Sequence, residues 1–253
     1  MTKLDVQDIT VKVGATPLVK QASFTLQPGE LVALVGPNGA GKTSLLRASL
    51  GLEPVSTGIS QVNGRDVTAL SPSARAKAIA YLPQQRPLAW PSRVRDIALL
   101  GRFAYGASPG RITARDQTAV SAAIEKADIG HLADRRADTL SGGELARVHI
   151  ARALAAQAPI LIADEPTAAL DPRHQLRVMD VIKAYVRDGG AVLVVLHDIA
   201  LAAHYASRII WMQSGKIVAD GPPQETLTTE RMADVFGVKA AVSGGTLRVL
   251  EAL

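Results

Sequence analysis

The sequence predicts an α/β protein: a mixed, mostly parallel sheet flanked by helices, with an antiparallel β subdomain and a helical insert. Three observations predict it. Short apolar runs such as LVALV, ILIAD and AVLVV stand in both halves of the chain, the pattern of strands covered on both faces. The opening stretch LDVQDITVKV alternates instead, as a half-buried strand does. From residue 89 to about residue 157 no strand pattern stands out and helical spacing prevails; strands then return. The simplest path is a core interrupted by an insert, the chain returning afterwards to the same sheet. The expected division is residues 1–88 and 158–253 as core with β subdomain, and 89–157 as helical subdomain.

Each element has its own signal. LVALV runs straight into a helix expected from Lys42 to Leu50. GISQVNGRDV contains Asn63-Gly64, a hairpin pair that tolerates positive φ at both positions. SPSARAKA starts with Ser71 as N-cap and Pro72 in the first turn, where a missing N–H costs nothing. AIAYLPQQ reads as a short strand. TARDQTAVSAAIEKADI and GELARVHIARALAAQ read as helices. ILIAD, AVLVVLH, RIIWMQ and KIVADG read as strands, with QSGK a tight turn between the last two.

Composition narrows the class. A chain of 253 residues with 47% hydrophobic content can bury a full core. It has no cysteine, which excludes disulfides and thiolate metal sites and suits a reducing compartment. The first residues, MTKLDVQDITVK, mix charge with apolar side chains, unlike a signal peptide. No apolar run approaches the ~18–20 residues that cross a bilayer. The expectation is a soluble chain whose membrane role, if any, runs through a partner. The formal charge is +5; without Lys/Arg clusters interleaved with aromatics, it reads as a solvated face or an attraction to a membrane-side partner.

The chemistry begins with GPNGAGKTS: Gly36, Pro37, Asn38, Gly39, Ala40, Gly41, Lys42, Thr43 and Ser44. It fits G-x-x-x-x-G-K-[ST] between a predicted strand and a predicted helix, the context this motif requires. Its glycines let successive N–H groups face inward as an anion nest, and the helix start adds its positive end. Lys42 would reach the β- and γ-phosphates of a bound triphosphate, and the Thr43 hydroxyl would ligate Mg²⁺. The core is thus of the P-loop NTPase type. ILIADEP ends a buried strand in two carboxylates, which point in different directions. Asp164 can face the metal while Glu165 faces the attacking water. VLVVLHD places His197 at the carboxyl end of another buried strand, the edge at which open α/β sheets bind ligands. LSGGE opens a helix, with Ser141 and Glu144 at capping-box spacing. Gly142 and Gly143 weaken that helix but would let a phosphate approach its backbone.

In that order these motifs resemble the ATP-binding cassette ATPases. LSGGE matches their signature, Gln84 in YLPQQ their glutamine-bearing loop, Asp171 in AALD the loop after the acidic strand, and His197 their switch histidine. The resemblance covers nearly the whole chain. It implies a homodimer in which each ATP lies between the cradle of one copy and Ser141, Gly142, Gly143 and Glu144 of the other. It also implies catalysis by Glu165, His197 and Gln84, with Mg²⁺ held by Thr43, Gln84 and Asp164. Asp171 would couple the copies, and Gln84 would link the metal site to an insert that grips transmembrane permease subunits. The family usually stacks an aromatic residue on adenine; here residues 1–23 contain none, and Val13 occupies that position. RVRDIALLGR and LHDIALAAHYASRIIWMQSGKIVADG resemble the iron-siderophore, haem and cobalamin importer group. The resemblance therefore implies an importer subunit on the cytoplasmic face of the cell membrane, peripheral through its permease. Its cargo would be an iron chelate or haem, brought by a periplasmic or surface binding protein. Cobalamin or manganese/zinc uptake is the alternative. A soluble cassette ATPase acting on nucleic acid or ribosomes is less favoured, and no nucleic-acid partner is expected.

Overall fold

The computed structural model describes residues 2–84, 92–108, 110–243 and 246–252. In chain order come β1 (Leu4–Val13), β2 (Thr16–Leu26), β3 (Leu31–Val35), α1 (Lys42–Ser49), β4 (Thr57–Val62) and β5 (Arg65–Asp66). Then follow α2 (Pro72–Ala78), β6 (Ile79–Leu82), α3 (Val94–Leu99), a 3-10 turn (Leu100–Tyr105), α4 (Ala114–Lys126) and α5 (Gly142–Ala155). β7 (Ile160–Asp164), α6 (Pro172–Arg187), β8 (Ala191–Val195), α7 (Ile199–Tyr205), β9 (Arg208–Gln213) and β10 (Lys216–Gly221) come next. α8 (Pro223–Thr226), α9 (Thr229–Phe236) and the hairpin β11 (Val238–Ser243) and β12 (Thr246–Ala252) close the chain. The expected boundary between residues 88 and 89 lies outside the described residues.

Contacts divide the chain into two compact units. The first comprises residues up to Ala69 and from Ala191 onward. Its centre is β3, paired in parallel with β8 (Leu31↔Val192) and with β9 (Val32↔Arg208). β10 adds antiparallel to β9, so the sheet is mixed. Every residue of β3 and β8 is buried, which explains their unbroken apolar sequences. A second, antiparallel sheet has the order β2-β1-β4-β5. The expected alternation of β1 holds only in halves: Leu4 and Val6 are buried, then Ile9 and Val11. Asp8, at φ 50°, makes the bulge that shifts the pairing between them. Its N–H donates to the Ser23 hydroxyl at 2.8 Å, and the bulge moves the apolar set by one residue while keeping it on the core face. Asn63 and Gly64 take positive φ, 51° and 76°, as the hairpin pair predicts.

The second unit runs from Leu70 to Gly190. β6 and β7 pair in parallel, Ile79 with Ile160. The Ser71 hydroxyl caps α2 by accepting from the Ala74 N–H at 3.2 Å. Between β6 and β7 the described residues form helices and turns without a named strand, with single bridges of Arg93 to Arg136 and of Ser108 to Arg111. α3, α4 and α5 pack around a buried ion pair. Arg102 Nε donates to Asp116 Oδ1 at 2.9 Å, and its Nη1 donates to the Ala155 carbonyl at 3.0 Å and to Gln157 at 3.1 Å. Tyr105 covers the guanidinium at 3.7 Å. The Thr113 hydroxyl, then Arg102, hold the Asp116 carboxyl down to about 2.

Candidate functional site

In the first unit the sheet delivers two groups to one edge. β3 and β8 run in register, Leu34 beside Val195, so the loop after Val35 and the residues after Val195 leave the same end of the sheet. His197 lies there, exposed, immediately beyond a fully buried strand. Asp198 next to it caps α7, accepting from the Leu201 N–H at 2.9 Å.

The glycine loop is built tightly. A Cβ on Gly36 would lie 2.2 Å from the Met212 carbonyl oxygen, and one on Gly41 2.4 Å from that of Leu18. Both residues also have positive φ, 152° and 96°, so glycine is required twice over. The backbone of β2 and of the β9–β10 turn clamps the loop: the Gly215 N–H donates to Ala40 at 3.1 Å, and Lys20 donates to Gly215 at 2.8 Å. α1 opens on Gly41 with no side-chain cap and no acidic residue in its first turn. Its first N–H groups are therefore offered to an external acceptor. Lys42, 6% exposed, curls back so that Nζ donates to the Gly36 and Pro37 carbonyls at 2.8 and 3.0 Å. The ammonium is thus held over the loop it closes. Pro37, Thr43 and Ser44 are half-buried, Ala40 is buried, and Asn38 and Gly39 are exposed. Val13, at the end of β1, is 61% exposed, on the hairpin whose Leu18 backs Gly41.

The second unit carries the acidic pair. Asp164 ends β7 and is 1% exposed. Glu165 follows at φ 49°, a left-handed conformation that costs a non-glycine residue about 1–2 kcal/mol. The Gln84 amide donates to Glu165 Oε2 at 2.7 Å, so the glutamine loop and the second carboxylate are brought together. Within this unit, the Gln84 amide oxygen and the Asp164 carboxylate are hard oxygen donors. That set suits Mg²⁺, which keeps waters and takes few carboxylates.

The signature lies in the same unit. Ser141 and Glu144 form the expected capping box: the Glu144 N–H donates to Ser141 Oγ at 3.3 Å, and the Ser141 N–H donates to Glu144 Oε2 at 2.8 Å. The Ser141 hydroxyl also donates to Glu144 at 2.9 Å. These donors, the backbone N–H first, hold the Glu144 carboxyl below its ordinary range. Around Gly142 nothing lies within 4 Å of an added Cβ, whereas at Gly143 such an atom would fall 2.0 Å from the His174 ring. His174 was not singled out by its sequence context, yet it touches two motifs. Its backbone N–H and Nδ1 both contact the Asp171 carboxylate at 2.9 Å, which caps α6 and is held below the ordinary range by them. Glycine at position 143 therefore has a reason inside one copy, the seat of His174. Only an i, i+3 Asp–His pair at a helix start hinted at this.

Comparison with known proteins gives one family. The ABC transporter profile matches residues 19–168. The hemin import ATP-binding protein HmuV of Nocardia farcinica is 44% identical over 223 residues, covering 88% of this chain and 76% of that one. Its namesake from Pseudomonas entomophila is 40% identical over 244 residues, covering 94% of each. Among solved structures, a metal-chelate type ABC transporter in an inward-facing conformation superposes with TM-score 0.84 at 24% identity, covering 99% of this chain and 98% of that one. A dimeric bacterial ABC transporter cassette superposes with TM-score 0.75 at 27% identity, covering 87% and 98%.

Proposed function

Because the chain belongs to the ABC transporter family, as an ATP-hydrolysing domain, we propose that it powers uptake of haem, or of an iron chelate, through a separate membrane permease. The observation that carries the cargo is the 44% identity, across 88% of the chain, to a hemin import ATP-binding protein. Among the described residues no helix is long and apolar enough to cross a membrane, which fits a subunit bound to the cytoplasmic face through that permease. Residues 1–88 and 158–253 would serve as catalytic core and 89–157 as the part that grips the permease.

In this reading the loop N–H groups from Gly36 to Ser44 and the Lys42 ammonium hold the β- and γ-phosphates of ATP. Mg²⁺, held by Thr43, Gln84 and Asp164, would neutralise phosphate charge. Glu165 orients the attacking water, and His197 hydrogen-bonds the water or the γ-phosphate. Gln84, bonded to Glu165 at 2.7 Å, makes the position of that carboxylate depend on the part of the chain that precedes the helical segment. A second copy completes the site with its Ser141, Gly142 and Gly143, Asp171 coupling the two. Val13 would offer adenine an aliphatic rather than an aromatic contact.

Reconstitution with its permease tests the cargo. Proteoliposomes supplied with MgATP and a haem-loaded binding protein should accumulate haem, read by Soret absorbance, and a Lys42→Ala assembly should not. Uptake of cobalamin or of manganese/zinc ions without haem would refute this cargo.

A further inference from the structure

The helical unit carries a basic surface with apolar side chains set into it that none of the motifs uses. Between Leu70 and Arg115, Lys77, Arg111 and Arg115 are exposed, whereas Arg102 is buried on Asp116 and Arg93 and Arg95 face Asp134. In the middle lies the 3-10 turn Leu100–Tyr105, whose orientation is fixed from within. Gly101 packs so closely on α5 that a Cβ would lie 2.1 Å from the Arg152 carbonyl oxygen, and Arg102 is fully buried on Asp116. Leu100 and Phe103 are three residues apart, hence on one face at three residues per turn. With Gly101 and Arg102 pinned inward, that face turns out: Leu100 is 38% exposed and Phe103 56%.

Exposed cations lie on the segments that adjoin this turn. α2 buries none of its residues; it lies beside the turn through a bond from the Ser73 hydroxyl to the Ala104 carbonyl at 2.7 Å. It carries exposed Lys77, whose ammonium is 4.9 Å from the Tyr105 ring. On the chain leaving the turn, exposed Arg111 is tied back to Ser108 by backbone bonds of 3.3 and 2.8 Å, and exposed Arg115 follows in α4.

We propose that Leu100 and Phe103, together with Lys77 of the adjoining α2 and with Arg111 and Arg115 on the chain leaving the turn, rest on the anionic lipid headgroups of the membrane surface. The choice of partner follows from charge. Short cytoplasmic loops of membrane proteins carry an excess of Lys and Arg, so these cations are ill-matched to a permease loop, which is left to the rest of the helical segment. An anionic leaflet attracts each Lys or Arg by about a fivefold gain in affinity. An aromatic beside an aliphatic residue suits the headgroup boundary. The inference rests on the importer reading only in placing the chain at a membrane, and its test needs neither permease nor cargo. A null result therefore leaves that reading standing.

The test is co-sedimentation of the whole chain with vesicles of phosphatidylcholine alone and with about one-third phosphatidylglycerol. Binding should require the anionic lipid and weaken as salt rises from about 50 to 500 mM. Lys77→Gln/Arg111→Gln/Arg115→Gln should cut binding at least tenfold, and Phe103→Ser severalfold. Basal ATP hydrolysis should remain parental in both variants, which also shows that they fold. Equal binding to both vesicle types, or none, overturns the proposal. So does parental vesicle binding by both variants, which would remove these side chains from the membrane contact.

Discussion

At the residue scale, two side-chain positions are set by backbone and packing rather than by the motif that contains them. Glu165 is held at φ 49° with Gln84 on its carboxylate, so its aim depends on a strained turn and on the bond from Gln84. Strain at a reacting group persists only when the surroundings impose it. Gly143 leaves room for the His174 ring. Overpacking of this kind costs about 2 kcal/mol, roughly 4–8 °C in Tm for a chain of this size. Gly143→Ala should therefore lower the calorimetric Tm by that amount, and His174→Ala in the same chain should restore most of it. A Gly143→Ala protein with parental Tm would show that glycine is needed there only for what approaches from outside. The cradle was legible at this scale, because G-x-x-x-x-G-K-[ST] after a buried strand leaves little choice of geometry. The seat of His174 was not, because a ring filling a missing side chain leaves no periodic trace.

At the element scale, the helices of the second unit close on one buried ion pair. The Thr113 hydroxyl and the Arg102 guanidinium hold Asp116 at about 2, against an ordinary 3.8. A depressed carboxyl stabilises the fold fully above its unfolded pKa and loses that contribution as pH falls through the folded one. In an acid titration followed by circular dichroism, the parent should thus lose helix stability between about pH 4 and pH 2. Asp116→Asn should begin with a lower Tm and lose less over the same interval; parallel curves would remove Asp116 from the account. The sequence disclosed the elements with strong signals: β3 and β8 by unbroken apolar runs, α4 and α5 by helical spacing, α2 by its cap. It did not disclose β2, where Pro17 and the positive φ of Gln21 break the alternation. Nor did it disclose α6, which buries only Val178, Met179 and Ile182 in sixteen residues. α7, α8, α9 and the last hairpin are likewise not legible: the helices run to eight residues at most, and the hairpin leaves Val249 and Leu250 exposed, so none gives a clear period.

At the scale of the whole molecule, the account is of a chain whose chemistry is complete only when ATP joins two copies. The α1 start is uncapped and free of acidic residues, ready for phosphate. The signature serine satisfies its own helix through Glu144; in the proposed dimer it would exchange that bond for a phosphate oxygen of the other copy's ATP. A dimeric cassette is among the solved structures this fold matches. The most direct measurement is the solution mass of Glu165→Gln by light scattering, with and without MgATP. The account predicts ATP binding without turnover and a doubling of mass from about 27 to about 53 kDa on the 26.6 kDa chain, abolished by Ser141→Arg. A nucleotide-bound Glu165→Gln chain that keeps the mass of one copy, or that hydrolyses ATP at the parental rate, would contradict it.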